Sequence, residues 1–233
     1  MVGMIFCAGL GTRLKPLTDT MPKALVPLAG KTLLQWQVEK LRDAGITDIV
    51  VNVHHFPDMI IDAIRRNNGW GCSITISDER DMLLDTGGGL KKAVGGEPVL
   101  ACNVDILSNV DIRAFVSAYE KKGVSQLVVS DRKTQRDLCF NEQDHLCGWT
   151  NIATGELKGQ DGRHLAFSGM QILSSETLAL LSQMPQEKFS LIDFYLYVMN
   201  KVALQAYVPT DYRMMDVGKI DQIEQAERFA EML

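Results

Sequence analysis

The sequence predicts an α/β fold built on a doubly wound, mostly parallel sheet, and three observations carry that reading. Short apolar runs and amphipathic segments alternate from residue 1 to about residue 130, the order expected when strands are joined by crossover helices. The first run, VGMIFCA at residues 2–8, is apolar without interruption and is stopped by Gly9 and Gly11, as a strand buried on both faces would be. The composition, 46% hydrophobic and 23% charged over 233 residues, is that of an ordinary globular chain and excludes a disordered, collagenous or coiled-coil protein.

After the first strand, further strand-like runs lie at residues 49–53, 73–76, 99–102 and 127–129. Between them, Leu34, Val38 and Leu41 mark one face of a helix that Gly45 is placed to end. A second helix spans residues 57–67 with Pro57 near its start. The clearest amphipathic helix covers residues 111–122, where Ile112, Phe115, Val116 and Tyr119 fall at i, i+3, i+4 and i+7. From 138 to 172 the texture changes, and Gly148, Gly155, Gly159 and Gly162 divide short segments that read as β-hairpins. Helices at 175–181 and 191–200, a strand at 203–208 and a helix at 219–232 complete the chain. One domain over residues 1–233 with a β-rich insertion is expected, with no internal repeat or linker.

The net charge is −5, which speaks against nonspecific nucleic-acid binding and supplies no polybasic membrane anchor. The distribution is uneven: residues 1–42 carry +4 and the remainder −9. A basic, glycine-containing N-terminal stretch on an acidic chain suggests a small anionic ligand. The apolar N-terminus lacks a basic flank and is too short to cross a bilayer, so a cytoplasmic protein without a membrane partner is expected. Cys7, Cys72, Cys102, Cys139 and Cys147 form no C-x-x-C and have no histidines at zinc spacing in sequence; they read as reduced core residues. His54, His55, His145 and His164 form no triad with a serine and read as structural or surface residues.

Strand one runs into G-L-G-T-R at Gly9 to Arg13, followed by Pro22-Lys23. Open α/β sheets bind ligands at the carboxyl ends of their strands, and glycines there let backbone N–H groups approach phosphate oxygens. An ordinary strand-to-helix turn with surface basic residues is the other reading. A dinucleotide fingerprint would need a third glycine where Leu14 stands, and Pro16 disfavours helix at Lys15. The Gly-Lys-Ser/Thr of a P-loop is also missing, so both familiar phosphate loops are excluded.

With G-x-G-T-R followed by Pro-Lys, the segment FCAGLGTRLKPLTDTMPKALVPLAGKTLL resembles the signature of sugar-1-phosphate nucleotidyltransferases. Within that family the chain looks closest to the short N-acetylmuramate-1-phosphate uridylyltransferase branch. The resemblance implies a Rossmann-like, GT-A type fold with a nucleotide-binding half at 1–130 and a sugar-phosphate-binding half at 131–233. It also implies no C-terminal β-helix, and a monomer or homodimer. Gly9, Gly11, Thr12 and Arg13 would hold the triphosphate, and Lys23 would contact phosphate at the reaction centre.

Four other segments extend the resemblance. Leu83 to Gly89, L-L-D-T-G-G-G, reads as a second glycine-rich loop before a helix start at residue 90. It is similar to the family's base-reading loop, which makes Gly87 and Gly88 candidate nucleobase contacts. Asp105 follows directly on an apolar strand, where a carboxylate suits Mg²⁺ or merely shapes a turn. Asp216 stands alone in M-M-D-V-G, where burial would demand compensation, though it also reads as a cap for the last helix. The resemblance makes both of them metal ligands for Mg²⁺ and places Asn103, Ser168 and Gly169 on the sugar phosphate. The family's usual Glu-Lys-Pro is missing near Cys147 to Asn151, which leaves Asn151 or Arg132 to replace its lysine.

The activity so implied is transfer of a nucleotidyl group from a nucleoside triphosphate to a sugar 1-phosphate, with Arg13, Lys23 and Asp105 catalytic. UTP and N-acetylmuramate 1-phosphate, in cell-wall sugar recycling, are the expected pair. GTP with mannose or heptose 1-phosphate, CTP with phosphocholine, and a silent nucleotide-sugar-binding regulator are the alternatives.

Overall fold

The computed structural model describes residues 1–233. In chain order the elements are β1 (Val2–Phe6), the small hairpin β2 (Pro27–Leu28) and β3 (Lys31–Thr32), α1 (Leu33–Asp43), β4 (Asp48–Val53), α2 (Pro57–Arg66) and β5 (Ser73–Asp78). There follow α3 (Asp85–Ala93), β6 (Val99–Asn103), β7 (Ile106–Ser108), α4 (Ile112–Lys122) and β8 (Ser125–Ser130). The second half holds β9 (Arg136–Phe140), β10 (Leu146–Asn151), β11 (Glu156–Gly159), β12 (Arg163–Leu173), α5 (Ser175–Ala179) and α6 (Leu191–Val198). The chain ends with β13 (Leu204–Tyr207), β14 (Met214–Asp216) and α7 (Ile223–Ala230).

Strands β6, β1, β4 and β5 lie side by side and parallel. Strand β12 runs antiparallel beside β6, β8 antiparallel beside β12, and β13 parallel to β8. This is the mostly parallel sheet that the alternation of strand and helix predicts, with one reversed strand inside it. Alternation along β1 explains why both faces are covered. Ile5 and Cys7 join one apolar layer with Leu34 of α1, Ile60 of α2, Phe115 of α4 and Ala226 of α7. Met4 and Phe6 join the other with Leu90 of α3, Leu178 of α5 and Phe194 of α6. Period-2 side chains on a strand feed two layers, and each layer takes its own helices.

The β-rich segment is an antiparallel extension. The first residues of β12 pair with β9, β9 with β10 and β10 with β11, while the rest of the same eleven-residue strand pairs with β6 and β8.

Two expectations are corrected. L-L-D-T-G-G-G is not a loop, because its glycines form the body of α3 and are buried. A Cβ on Gly89 would stand 2.7 Å from Glu79 Oε1, and one on Gly87 would stand 2.8 Å from the Ser190 carbonyl. Close packing therefore overrides the poor helix propensity of glycine. The last helix is shorter than 219–232, being a 3₁₀ turn followed by α7. A two-stranded ribbon, β7 with β14, was not foreseen at all. No helix is long and apolar enough to cross a membrane.

Candidate active site

Phe6 and Asn103 are register partners at the carboxyl ends of β1 and β6, so the loops that follow them open side by side. Between them lies a cleft of about 230 Å³, lined by Gly9, Gly11, Thr12, Arg13, Lys23, Asn103 and Asp105 among others. Gly11 shapes its floor. Its φ of +64° is left-handed, and a Cβ there would stand 2.8 Å from Thr18 Cγ2 and 3.1 Å from Lys23 Cβ. Only glycine fits without displacing the segment that carries the lysine. Its carbonyl accepts from the Leu14 N–H at 2.8 Å and from Thr18 Oγ1 at 2.9 Å, which winds Thr12–Leu14 into a single 3₁₀ turn.

Lys23, with 10% of its side chain exposed, forms an ion pair with Asp105. The second carboxylate comes from far along the chain. Ile106 and Asp216 are register partners in the ribbon, and the Val217 N–H donates to the Asp105 carbonyl at 2.8 Å. The ribbon thus sets Asp216 beside Asp105. Partial burial, and then the charge of Asp105, raises the Asp216 carboxyl above its ordinary value, while Lys23, Arg13 and Arg132 pull it back. Arg13 Nη2 stands 4.0 Å from Asp216 Oδ2. Two hard-oxygen donors close enough to disturb each other are the kind a divalent cation such as Mg²⁺ takes, and to bind it Asp105 has to release Lys23.

Across from the glycine loop, Gly169 lies where the β12–β8 register shifts between Phe167 and Gln171. Its φ is +70°, and a Cβ would stand 2.9 Å from Asn103 Nδ2, so the glycine brings β12 against Asn103. Ser168 is buried and its Oγ has no hydrogen-bond partner. Arg132 donates to the Phe167 carbonyl at 2.7 Å, and its charge helps to lower the Asp216 carboxyl. Asn151 does not join this group. Its Oδ1 accepts from the Ala153 N–H at 3.1 Å and shapes the β10–β11 turn.

Gly87 and Gly88 also sit differently from the expectation. Their N–H groups both donate to the Phe189 carbonyl, at 2.9 and 3.1 Å, so these donors tie α3 to the following segment instead of facing the cleft. Thr86, one residue earlier, does line it.

Two features escaped the sequence reading. Gly218 lines the cleft, and a Cβ there would stand 2.7 Å from Asp216 Oδ1 and 3.0 Å from Arg13 Nη2; the signal was the glycine of M-M-D-V-G. A buried chain of hydrogen bonds also braces the loops. The Cys7 N–H donates to Asn52 Oδ1 at 2.8 Å, Asn52 Nδ2 to Glu79 Oε1 at 2.7 Å, and the Leu84 N–H to Glu79 Oε2 at 3.1 Å. Asn52 is visible as the polar residue in the otherwise apolar run at 49–53.

A profile of the family described as nucleotidyl transferase matches residues 2–137, more than half of the chain. The chain belongs to that family. It is similar to an N-acetylmuramate alpha-1-phosphate uridylyltransferase of Caulobacter vibrioides, 44% identical over 109 residues, which cover 45% of each chain. It is also similar to a mannose-1-phosphate guanyltransferase 2 of Candida glabrata, 31% identical over 194 residues, covering 79% of this chain and 53% of the relative. The chain thus spans about half the length of each of these relatives. Among solved structures it resembles HddC from Yersinia pseudotuberculosis complexed with GMP-PN, with a TM-score of 0.77 and 25% identity, covering 99% of this chain and all of that one. The family match starts at β1 and ends in β9, so it takes in the glycine loop, Lys23 and Asp105.

Proposed function

We propose that this member of the family transfers a nucleotidyl group from a nucleoside triphosphate to a sugar 1-phosphate, releasing pyrophosphate. The observation that carries the reading is the meeting of Arg13, Lys23, Asp105 and Asp216 at one cleft. Two cationic side chains and two carboxylates there match the needs of a reaction between two anions. An oxygen of the sugar phosphate attacks the α-phosphorus of the triphosphate. A new P–O bond forms, the bond to the β-phosphate bridging oxygen breaks, and its electron pair leaves with pyrophosphate. The nucleophile is already ionised at neutral pH, so no general base is needed. What remains is in-line positioning and charge stabilisation.

Gly11 and Thr12 present the backbone of their turn to the triphosphate, and Arg13 at the cleft mouth stabilises charge on the departing pyrophosphate. Lys23 lies between the two phosphates. Asn103, with Ser168 and Gly169 behind it, orients the sugar phosphate, and Arg132 takes the place of the missing lysine. Asp105 and Asp216 would hold Mg²⁺, which when bound supplies charge neutralisation at the phosphate oxygens. UTP with N-acetylmuramate 1-phosphate is the proposed pair, supported by the relative from Caulobacter.

Pyrophosphate release across four triphosphates and the 1-phosphates of N-acetylmuramate, glucose, mannose and heptose tests both levels. Highest kcat/KM for the proposed pair supports it. A preference for GTP with mannose 1-phosphate keeps the reaction and replaces the substrates, while no release with any pair overturns the activity.

A further inference from the structure

The β-rich extension holds a second cluster of metal-binding residue types, assembled by strand pairing from positions that look unrelated in sequence. Cys139 of β9 and His164 of β12 are register partners in an antiparallel pair, so their side chains leave the same face of the sheet. Asp161 lies in the turn just before β12, its Oδ1 2.7 Å from His164 Nε2. The Cys139 Sγ, an Asp161 carboxylate oxygen and a His164 ring nitrogen all lie within 4.8 Å of one another. Cys147 stands on the neighbouring β10, next to a register irregularity between Leu146 and Gly148. Its Sγ is 3.3 Å from the Cys139 carbonyl and 3.8 Å from that of Asp161. Both thiols are buried, whereas 39% of the His164 and 69% of the Asp161 side chain is exposed. The cluster therefore has an inner sulfur side and an outer side open to an ion from solvent.

We propose that Cys139, Asp161 and His164, with Cys147 as the fourth donor, form a Zn²⁺ site that fastens β9, β10 and the turn before β12. The donor set decides the metal. Thiolate and imidazole ligands select zinc over magnesium or calcium, which take oxygen shells, and zinc accepts a carboxylate alongside them. Zinc–ligand bonds of about 2.0–2.3 Å put tetrahedral donors roughly 3.3–3.8 Å apart, so Cys139, Asp161 and His164, within 4.8 Å of one another, close by about an ångström, while the Cys147 thiol lies outside that radius and has to turn away from its carbonyl contacts to join them. Binding replaces the thiol protons and the Asp161–His164 hydrogen bond with metal–ligand bonds, and releases those protons. The role is structural, because none of the four residues lines the cleft that holds Lys23 and Asp105.

The test uses the full chain, freed of metal by a chelator and titrated with Co²⁺ in excess Mg²⁺. The expected result is one Co²⁺ per chain with a thiolate-to-cobalt charge-transfer band and tetrahedral visible bands, all displaced by Zn²⁺. His164 is partly exposed, so His164→Ala should fold and weaken the affinity by at least about tenfold, since even outer-shell partners of a metal are worth that much. Zn²⁺ should raise the Tm of the wild type and leave that of His164→Ala unchanged. Asp105→Asn should keep the band. Absence of a thiolate band, or a band of undiminished affinity in His164→Ala, overturns the site; so does a band lost in Asp105→Asn.

Discussion

Lys23 shows how much of this site rests on single residues. With a tenth of its side chain exposed it requires an opposite charge, and Asp105, 19% exposed, supplies it. Breaking such a pair by deleting one partner strands the other in a poorly hydrated place, which costs more than the pair contributes intact. Lys23→Met should therefore destabilise the protein by about 3 kcal/mol in urea denaturation. The double variant Lys23→Met/Asp105→Asn should regain most of that loss, because no uncompensated charge remains. Neither should regain turnover, and Asp105→Asn alone, destabilised for the same reason yet still folded by circular dichroism, should lose at least about a hundredfold in pyrophosphate release, the scale seen when one charge-stabilising group is removed from a site. A double variant as unstable as Lys23→Met would show that the pairing is not what holds Lys23 in place.

At the scale of elements, the ribbon β7–β14 carries Asp216 and is itself carried by α1. Gln37 Nε2 donates to the Ile106 carbonyl at 2.7 Å, and Lys40 Nζ donates to the Ser108 carbonyl at 2.5 Å and to Ser108 Oγ at 2.8 Å. The apolar stripe Leu34, Val38 and Leu41 was readable from its spacing, but the work of Gln37 and Lys40 was not, since their acceptors lie about seventy residues away. The ribbon was hidden for a related reason. Each strand has three residues, too short for a period to show, and their pairing is nonlocal. Asp105 and Asp216 could be picked out by residue type and family resemblance, whereas their meeting depends on that ribbon. The four parallel strands were legible because buried runs of apolar residues leave a local mark, and the glycines of α3 misled because their packing partners are distant. Burial pushes the Lys40 amine down to about 8 from 10.5, with Cys102 opposing the shift. Its charged form is thus disfavoured in the fold. The resulting cost is full below pH 8, shrinks as pH rises through that value, and vanishes near 10.5. Against Lys40→Met, wild-type stability should improve over that window by no more than about 3 kcal/mol. Parallel urea titrations of the two proteins check it, and a flat difference would mean that Lys40 is solvated when charged.

For the whole molecule, the distribution of charge decides how the proposed triphosphate substrate would arrive. The +4 of residues 1–42 suggests a field that draws anions in, yet most of those charges are occupied elsewhere. Lys15 pairs with Asp19 at 2.9 Å, Lys31 with Glu39 at 2.6 Å and Arg42 with Asp43 at 2.9 Å, while Lys40 is bound to Ser108. Arg13 and Lys23 remain at the cleft, and each has a carboxylate neighbour. At a distance the substrate meets a molecule of net charge −5; attraction begins only close to the cleft. Salt removes the distant repulsion first, because the screening length falls from about 30 Å at 0.01 M to about 8 Å at 0.15 M. The kcat/KM for the triphosphate should accordingly rise, or stay within about twofold, across that range, with Mg²⁺ held constant, whereas polyanion binding that rests on many phosphate contacts falls by orders of magnitude over a smaller span. Initial rates of pyrophosphate release at low substrate, measured against ionic strength, read this directly. A tenfold fall would mean that the N-terminal basic residues steer the substrate from afar after all, and that their pairing with Asp19, Glu39 and Asp43 leaves their field largely intact.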